Sequence, residues 1–148
     1  MCQKEKMIIV SMISSILIIG FYALYVYHKY ISGNPEVIHD FSFWGKAFLY
    51  FIPVAIVAQI IIHIVFAIVN KIATNEDISS ISDEMDRLIE LKSIRISHWT
   101  FIFGFILAMG SLAIGMPAYM MFLILISSGF IAGLASDISK IYFYRKGV

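Results

Sequence analysis

Hydrophobic residues make up 60% of this 148-residue chain, and charged residues make up only 14%. That balance would leave a soluble domain of this size without enough polar surface, so a membrane class is favoured, with one small membrane domain over residues 1–148. The formal net charge of +1 is uninformative as a total, and no direct nucleic-acid binding is expected. Cys2 is the only cysteine, which excludes an internal disulfide.

Uncharged runs predict the fold class, an all-α polytopic membrane protein with four transmembrane helices. A helix needs ~20 apolar residues to cross a bilayer. The predicted spans cover about residues 7–28, 46–70, 96–116 and 117–137. The first is interpreted as a retained helix rather than a signal peptide, because it is longer than the usual apolar core and no cleavage site of small residues follows Gly20.

The positions of the 11 Lys and Arg residues orient these spans. Only Lys29 and Lys46 lie in the first loop, and none lies in the turn between the last two spans. The others occupy the N-terminus, the loop at residues 71–95 and the C-terminal tail. Because basic residues concentrate on the cytoplasmic side, both termini are expected to be cytoplasmic in a multi-pass protein of the cell membrane.

Polar side chains interrupt the second span. Gln59 and His63 lie one helical turn apart, and Asn70 lies on nearly the same face. Inside a span such groups face protein or water rather than lipid. Ser11 and Ser15 of the first span have a matching depth, which favours interhelical hydrogen bonds. The alternative is a proton-linked or substrate-contacting role for His63.

The loop at residues 71–95 is the one sizeable hydrophilic segment. Ser82 is predicted to cap a cytoplasmic helix that starts at about residue 83 and runs into the third span. Its charged side chains are expected to be exposed and to form a partner-binding surface, made of Asp83, Glu84, Asp86, Arg87, Glu90, Lys92 and Arg95. A metal site is not expected, because the carboxylates follow a helix face instead of converging on one point.

Small residues are predicted to pack the last two spans together. They are Gly104 and Ala108 in the third span and Gly129 and Gly133 in the fourth. Small side chains let helix backbones approach closely, and a tight turn at residues 115–117 makes these spans neighbours. Pro117 is expected at the first position of the fourth helix. The alternative use of the glycines in the fourth span is a homo-oligomer interface.

The stretch from Asp83 to Arg95 reads D-E-M-D-R-L-I-E-L-K-S-I-R and is followed at once by a span. It resembles the pattern D-E-R-D-x-x-I-x-x-K-x-x-R of small prokaryotic four-helix membrane proteins that are grouped as a domain of unknown function. Met85 stands where that pattern has Arg. Members are sometimes encoded beside a helix-turn-helix regulator, so the resemblance implies a regulatory partner and no catalytic residue.

The functional expectation is a non-enzymatic, regulatory or interaction protein that binds a cytoplasmic protein, such as a transcription regulator, through the helix before the third span. No catalytic motif and no cofactor motif is present, and no cofactor is expected. The alternative is a small transporter or channel subunit that uses Gln59 and His63. None of the spans contains the membrane-embedded carboxylate on which small multidrug exporters depend, which counts against proton-coupled export.

Overall fold

A computed structural model describes residues 3–75 and 83–147. Its α-helices are α1 (Gln3–Val26), α2 (Phe41–Thr74), α3 (Glu84–Ala113) and α4 (Ala118–Lys146). All four are long and apolar enough to cross a membrane, which confirms the prediction of an all-α chain with four such helices. Cys2 and Ser82 lie outside the described residues. Contacts divide the chain into two compact units, Met1–Ile78 and Ser79–Val148.

The first unit is an antiparallel pair of helices. The Tyr22 hydroxyl of α1 donates a hydrogen bond to the Ala47 carbonyl of α2 at 2.7 Å. Closer to the other end of the pair, the Gln59 amide reaches Ser15 of α1. Most large apolar side chains of α2 are exposed, as expected of a helix whose outer surface faces lipid.

The connection between α1 and α2 is short and ordered by local bonds. A π-helical turn (Tyr27–Ile31) extends α1, and a 3-10 helix (Pro35–His39) precedes α2. The Asp40 carboxylate caps α2 by accepting from the Ser42 amide at 3.0 Å. The Trp44 indole then donates to the Ile38 carbonyl at 2.8 Å, so the side chain fixes the direction in which the loop enters the helix.

The second unit is a long antiparallel hairpin of α3 and α4. Gly115 adopts a φ of +88°, a left-handed conformation that glycine reaches without a steric penalty. The Met116 amide then donates to the Ser111 carbonyl at 3.0 Å and closes the end of α3. The extended ψ of Pro117, 149°, makes it the N-cap of α4, so its predicted place at the first helical position is wrong.

Small side chains bring α3 and α4 together, although not all of those expected. Gly104 lies directly against Ser128, and Ala108 is fully buried. Gly129 and Gly133 are exposed, and a β-carbon at either position would meet nothing within 4 Å. Their predicted packing against the third helix is therefore wrong. Ser128 and Ala132, each one residue earlier and rotated by about 100° on the helix, take that place.

Candidate functional site

The charged segment at the start of α3 begins with a capping box. The Asp83 side chain accepts from the Asp86 amide at 2.8 Å, and the Asp86 side chain accepts from the Asp83 amide at 3.2 Å. Two amides that lack helical partners are satisfied in this way. Asp83 is thus the N-cap of α3, and the prediction of Ser82 at that position is wrong. The D-x-x-D spacing of the motif has a structural role here.

Asp86 is buried, which corrects its assignment to an exposed partner-binding surface. It retains only 9% of its accessible area. The Tyr144 hydroxyl of α4 donates to its Oδ1 at 2.7 Å, while its other oxygen serves the capping box. A buried carboxylate requires such partners, because water no longer solvates it. Asp86 therefore joins the beginning of α3 to the end of α4.

Two further motif residues also contact α4 or the core of the hairpin. Ile89 is 1% exposed and follows Asp86 by three residues. Lys92 lies with its Nζ 5.6 Å from the ring centroid of Phe143, a distance at which an ammonium is attracted to an aromatic face. Ser93 is fully buried, and its hydroxyl has no hydrogen-bond partner within the described chain.

The opposite side of the same helix is exposed. Glu84, Leu88, Leu91 and Arg95 follow one another at spacings of four, three and four, which places them in one line along the helix. Leu88 is 44% exposed and Leu91 is 65% exposed. We call these four residues the outer face of α3. Arg87 and Glu90 are exposed beside it.

The polar residues of α2 and α1 form a directed chain of hydrogen bonds. Gln59 Nε2 donates to Ser15 Oγ at 2.8 Å, and Ser15 Oγ donates to the Ser11 carbonyl at 2.9 Å. This confirms that Gln59 links the first two helices. Gln59 Oε1 is buried and has no partner among the described residues.

His63, one helical turn from Gln59, does not join the hydrogen bonds that Gln59 and Ser15 make. Within residues 3–75 and 83–147 its imidazole makes no hydrogen bond, so the expected bond to Ser11 or Ser15 is wrong. Gln59 donates to the Ser15 hydroxyl oxygen, while His63 lines a groove between α1 and α2. Asn70, the third member of the predicted stripe, is buried near the end of α2.

In the described part of the chain, no group of three or more His, Cys, Asp or Glu side chains is placed to hold a metal ion. The structure brings together Asp83 and Asp86 from the predicted surface and leaves Glu84, Arg87, Glu90 and Arg95 exposed. The role of Tyr144 is not among the sequence predictions. Asp86 and Tyr144 are equally far along the chain from Gly115 in the turn. Such positions lie opposite each other in an antiparallel hairpin, so counting from the turn indicates Tyr144 as the partner of Asp86.

Searches against protein-family models, curated proteins and solved structures return no match. The motif resemblance and the partner that it implies therefore stay predictions.

Proposed function

We propose that this chain is a non-enzymatic, multi-pass protein of the cell membrane, with four spans and cytoplasmic termini, that binds a cytoplasmic protein through the outer face of α3. The basic residues support this orientation, because all except Lys29 and Lys46 belong to segments on one side. The motif resemblance makes a helix-turn-helix regulator the first partner to test.

The exposure of Leu88 and Leu91 carries the proposal. In the proposed orientation both lie on the cytoplasmic side of Arg95, and Leu88 is roughly 10 Å from it at 1.5 Å per residue. Lipid chains do not cover a helix at that depth, because charged residues surround it. Two leucines exposed to water in one line, with Glu84 and Arg95 at the ends, have the pattern by which one helix docks into the groove of a partner.

Burial of Asp86 removes one carboxylate from the surface that a partner can contact. This carboxylate is occupied by the capping box and by Tyr144. A partner therefore meets the exposed charges of Glu84, Arg87, Glu90 and Arg95, and not that of Asp86. Apolar contacts to the leucines supply most of the affinity, and the charges at the ends set the direction in which a partner helix lies.

Site-specific photocrosslinking in cells tests the proposal. A photoreactive side chain at position 88 should capture a cytoplasmic protein, whereas the same side chain at position 85 should not. Met85 is about as exposed as Leu88, 45% against 44%, but lies outside the outer face of α3. With the captured protein purified, Leu88→Ser should weaken binding about tenfold or more, the expected effect of removing one buried leucine. Equal capture at both positions, or unchanged affinity of Leu88→Ser, would contradict the proposal.

A further inference from the structure

Two lysines lie over two aromatic rings on one flank of the second unit. Lys92 Nζ of α3 is 5.6 Å from the ring centroid of Phe143, and Lys146 Nζ is 5.4 Å from that of Tyr142. The two rings meet edge to face, with their centroids 5.6 Å apart. The four side chains therefore form one continuous patch from α3 to the last turns of α4, and we call it the basic flank.

Both lysines of the basic flank are exposed. Within residues 83–147 neither ammonium group is paired with a carboxylate: Lys92 lies over the ring of Phe143, and Lys146 donates to the Tyr142 hydroxyl at 2.8 Å. An ammonium group that is already held over a ring loses less freedom when it binds a second group. The flank therefore presents two positioned positive charges.

The carboxylates of α3 lie away from this flank. Glu90 is rotated by about 200° from Lys92, at 100° per residue. Asp83 and Glu84 lie at least about 12 Å from Lys92 along the helix axis, at 1.5 Å per residue. Asp86 is buried and bonded to Tyr144.

The carboxylate of α4 also lies elsewhere. Asp137 is rotated by about 180° from Lys146 around the helix. It pairs instead with Lys140, whose Nζ lies 3.8 Å from its Oδ1. The positive charge of Lys140 is thus offset by a neighbour, whereas the charges of the basic flank are not.

A line of exposed apolar side chains continues the basic flank into the proposed span. Ile96, Trp99 and Phe103 follow Lys92 at spacings of four, three and four, so all lie on the same side of α3. Trp99 is 62% exposed and Phe103 is 65% exposed. In the proposed orientation Lys92 lies ~6 Å outside the start of the span, which is the depth of the lipid headgroups.

We propose that the basic flank binds an anionic phospholipid of the cytoplasmic leaflet. The phosphodiester group lies at the two lysines, and an acyl chain runs along the line from Ile96 to Phe103. A zwitterionic lipid fits less well, because its own ammonium group would lie beside two lysines where no carboxylate of the described chain accepts it. The inference rests on the membrane insertion and orientation of the proposed function. It does not depend on the partner of the outer face of α3.

The test uses the fluorescence of Trp99, which lies on the line below Lys92. The chain has two tryptophans, so Trp44→Phe leaves Trp99 as the single reporter. The full-length protein is reconstituted into bilayers of phosphatidylcholine and phosphatidylglycerol, in which one lipid at a time carries bromine atoms near the headgroup end of its acyl chains. Bromine quenches tryptophan on contact, so the two quenching curves give the relative affinity of the lipids for this position.

A reporter on the other side of α3 provides the positional control. The exchange Trp99→Phe with Phe101→Trp keeps the composition and nearly the same depth, and two residues turn the helix by about 200°. Phe101 is 39% exposed, so a tryptophan there is accessible as well. General attraction of anionic lipid to the whole protein should affect both reporters alike.

Phosphatidylglycerol should bind beside Trp99 about fivefold more strongly than phosphatidylcholine, the effect of a lysine near an anionic headgroup. The reporter at position 101 should show no such preference. Lys146→Gln should weaken the preference, and Lys92→Gln with Lys146→Gln should abolish it. Lys140→Gln is the matched control on α4, because its charge is already offset by Asp137, and it should retain the preference.

A second measurement avoids the change at Trp44. In native mass spectrometry the natural protein should retain phosphatidylglycerol, and the double lysine variant should lose it. Insertion is measured separately, by resistance of the helices to added protease. In an inserted protein, equal quenching by both lipids, equal preference at both reporters or no quenching at Trp99 overturns the inference and leaves the partner of α3 untouched. Failure to insert overturns the inference together with the proposed function.

Discussion

Asp86 of α3 accepts a hydrogen bond from the Tyr144 hydroxyl of α4 at 2.7 Å, so the first turn of one helix is joined to the last turn of the other. The contact lies at the end of the hairpin opposite to the turn at Gly115. It holds the segment with the outer face of α3 against α4.

Replacing Asp86 should destabilise the second unit. Asp86→Ala removes both the capping-box acceptor and the acceptor of Tyr144, and we expect a loss of about 2 kcal/mol in unfolding free energy. The measurement is unfolding of the purified protein in detergent, followed by circular dichroism. Glu90→Ala is the matched control, because Glu90 is exposed on the same helix and its removal should change stability by less than about 0.5 kcal/mol.

A double-mutant cycle separates the Tyr144 contact from the cap. Tyr144→Phe removes only the hydroxyl, and its cost should largely disappear in an Asp86→Ala background. The expected coupling is about 1 kcal/mol. The charge of the Asp86 carboxylate strengthens the hydrogen bond, whereas the partial exposure of Tyr144 to water weakens it. Fully additive effects of the two substitutions would show that the contact does not stabilise the hairpin.

Gly104 should tolerate no larger residue. A β-carbon there would overlap the hydroxyl and β-carbon of Ser128, so Gly104→Ala should cost about 1–3 kcal/mol in the same unfolding assay. Gly110→Ala is the control on α3, since its β-carbon would meet nothing within 4 Å and alanine is the better helix former.

Ser128→Gly should rescue Gly104→Ala, because the nearest remaining atom, the α-carbon of residue 128, would lie at an ordinary contact distance of 3.4 Å. A Gly104→Ala protein as stable as Gly110→Ala would show that α3 and α4 pack in a different register.

The proposed orientation predicts which loops react from outside the cell. Single cysteines at Ser32 and Ser80, in a Cys2→Ser background, should differ in labelling by a membrane-impermeant thiol reagent. Ser32→Cys should react in intact cells, and Ser80→Cys should react only after permeabilisation, because basic residues flank the loop that contains it. The reverse pattern would place both termini outside.

His63 should be dispensable for folding. Its imidazole makes no hydrogen bond in the described residues, so His63→Gln should shift unfolding free energy by less than about 0.5 kcal/mol. Ser15→Ala should cost more, about 1–2 kcal/mol, because it leaves the whole Gln59 amide unpaired in an apolar setting. Large destabilisation by His63→Gln would indicate a structural contact for the imidazole.

Much of the secondary structure follows from local pattern. Uncharged runs of sufficient length predict the four apolar helices, and Gly115 predicts the turn between α3 and α4. The interhelical bond of Gln59 also follows from local pattern, because a polar amide in a span must find a partner and Ser15 lies at a matching depth. Ser82 and Asp83 are both good caps, and the prediction of Ser82 is wrong because Asp83 is the N-cap of α3.

Side-chain exposure could not be derived in the same way. The charges of Asp86 and Glu90 make both appear solvent-facing in the sequence, yet Asp86 is buried and Glu90 is exposed. The difference arises because Tyr144, distant in the chain, reaches one of them. A pattern along one helix contains no information about the partner that approaches it.

By itself the sequence determined that the chain forms long apolar helices and that α3 and α4 are joined by a tight turn, because helix length and turn chemistry depend on neighbouring residues. Only the tertiary structure decided which faces meet. In α4 two pairs of small residues have the same spacing, Ser128 with Ala132 and Gly129 with Gly133, and each pair could form an interface. Ser128 fits against Gly104 in the observed register, and that choice turns the two glycines outward. Register depends on the sum of contacts along both helices, from Gly104 to Asp86, and no single segment specifies it.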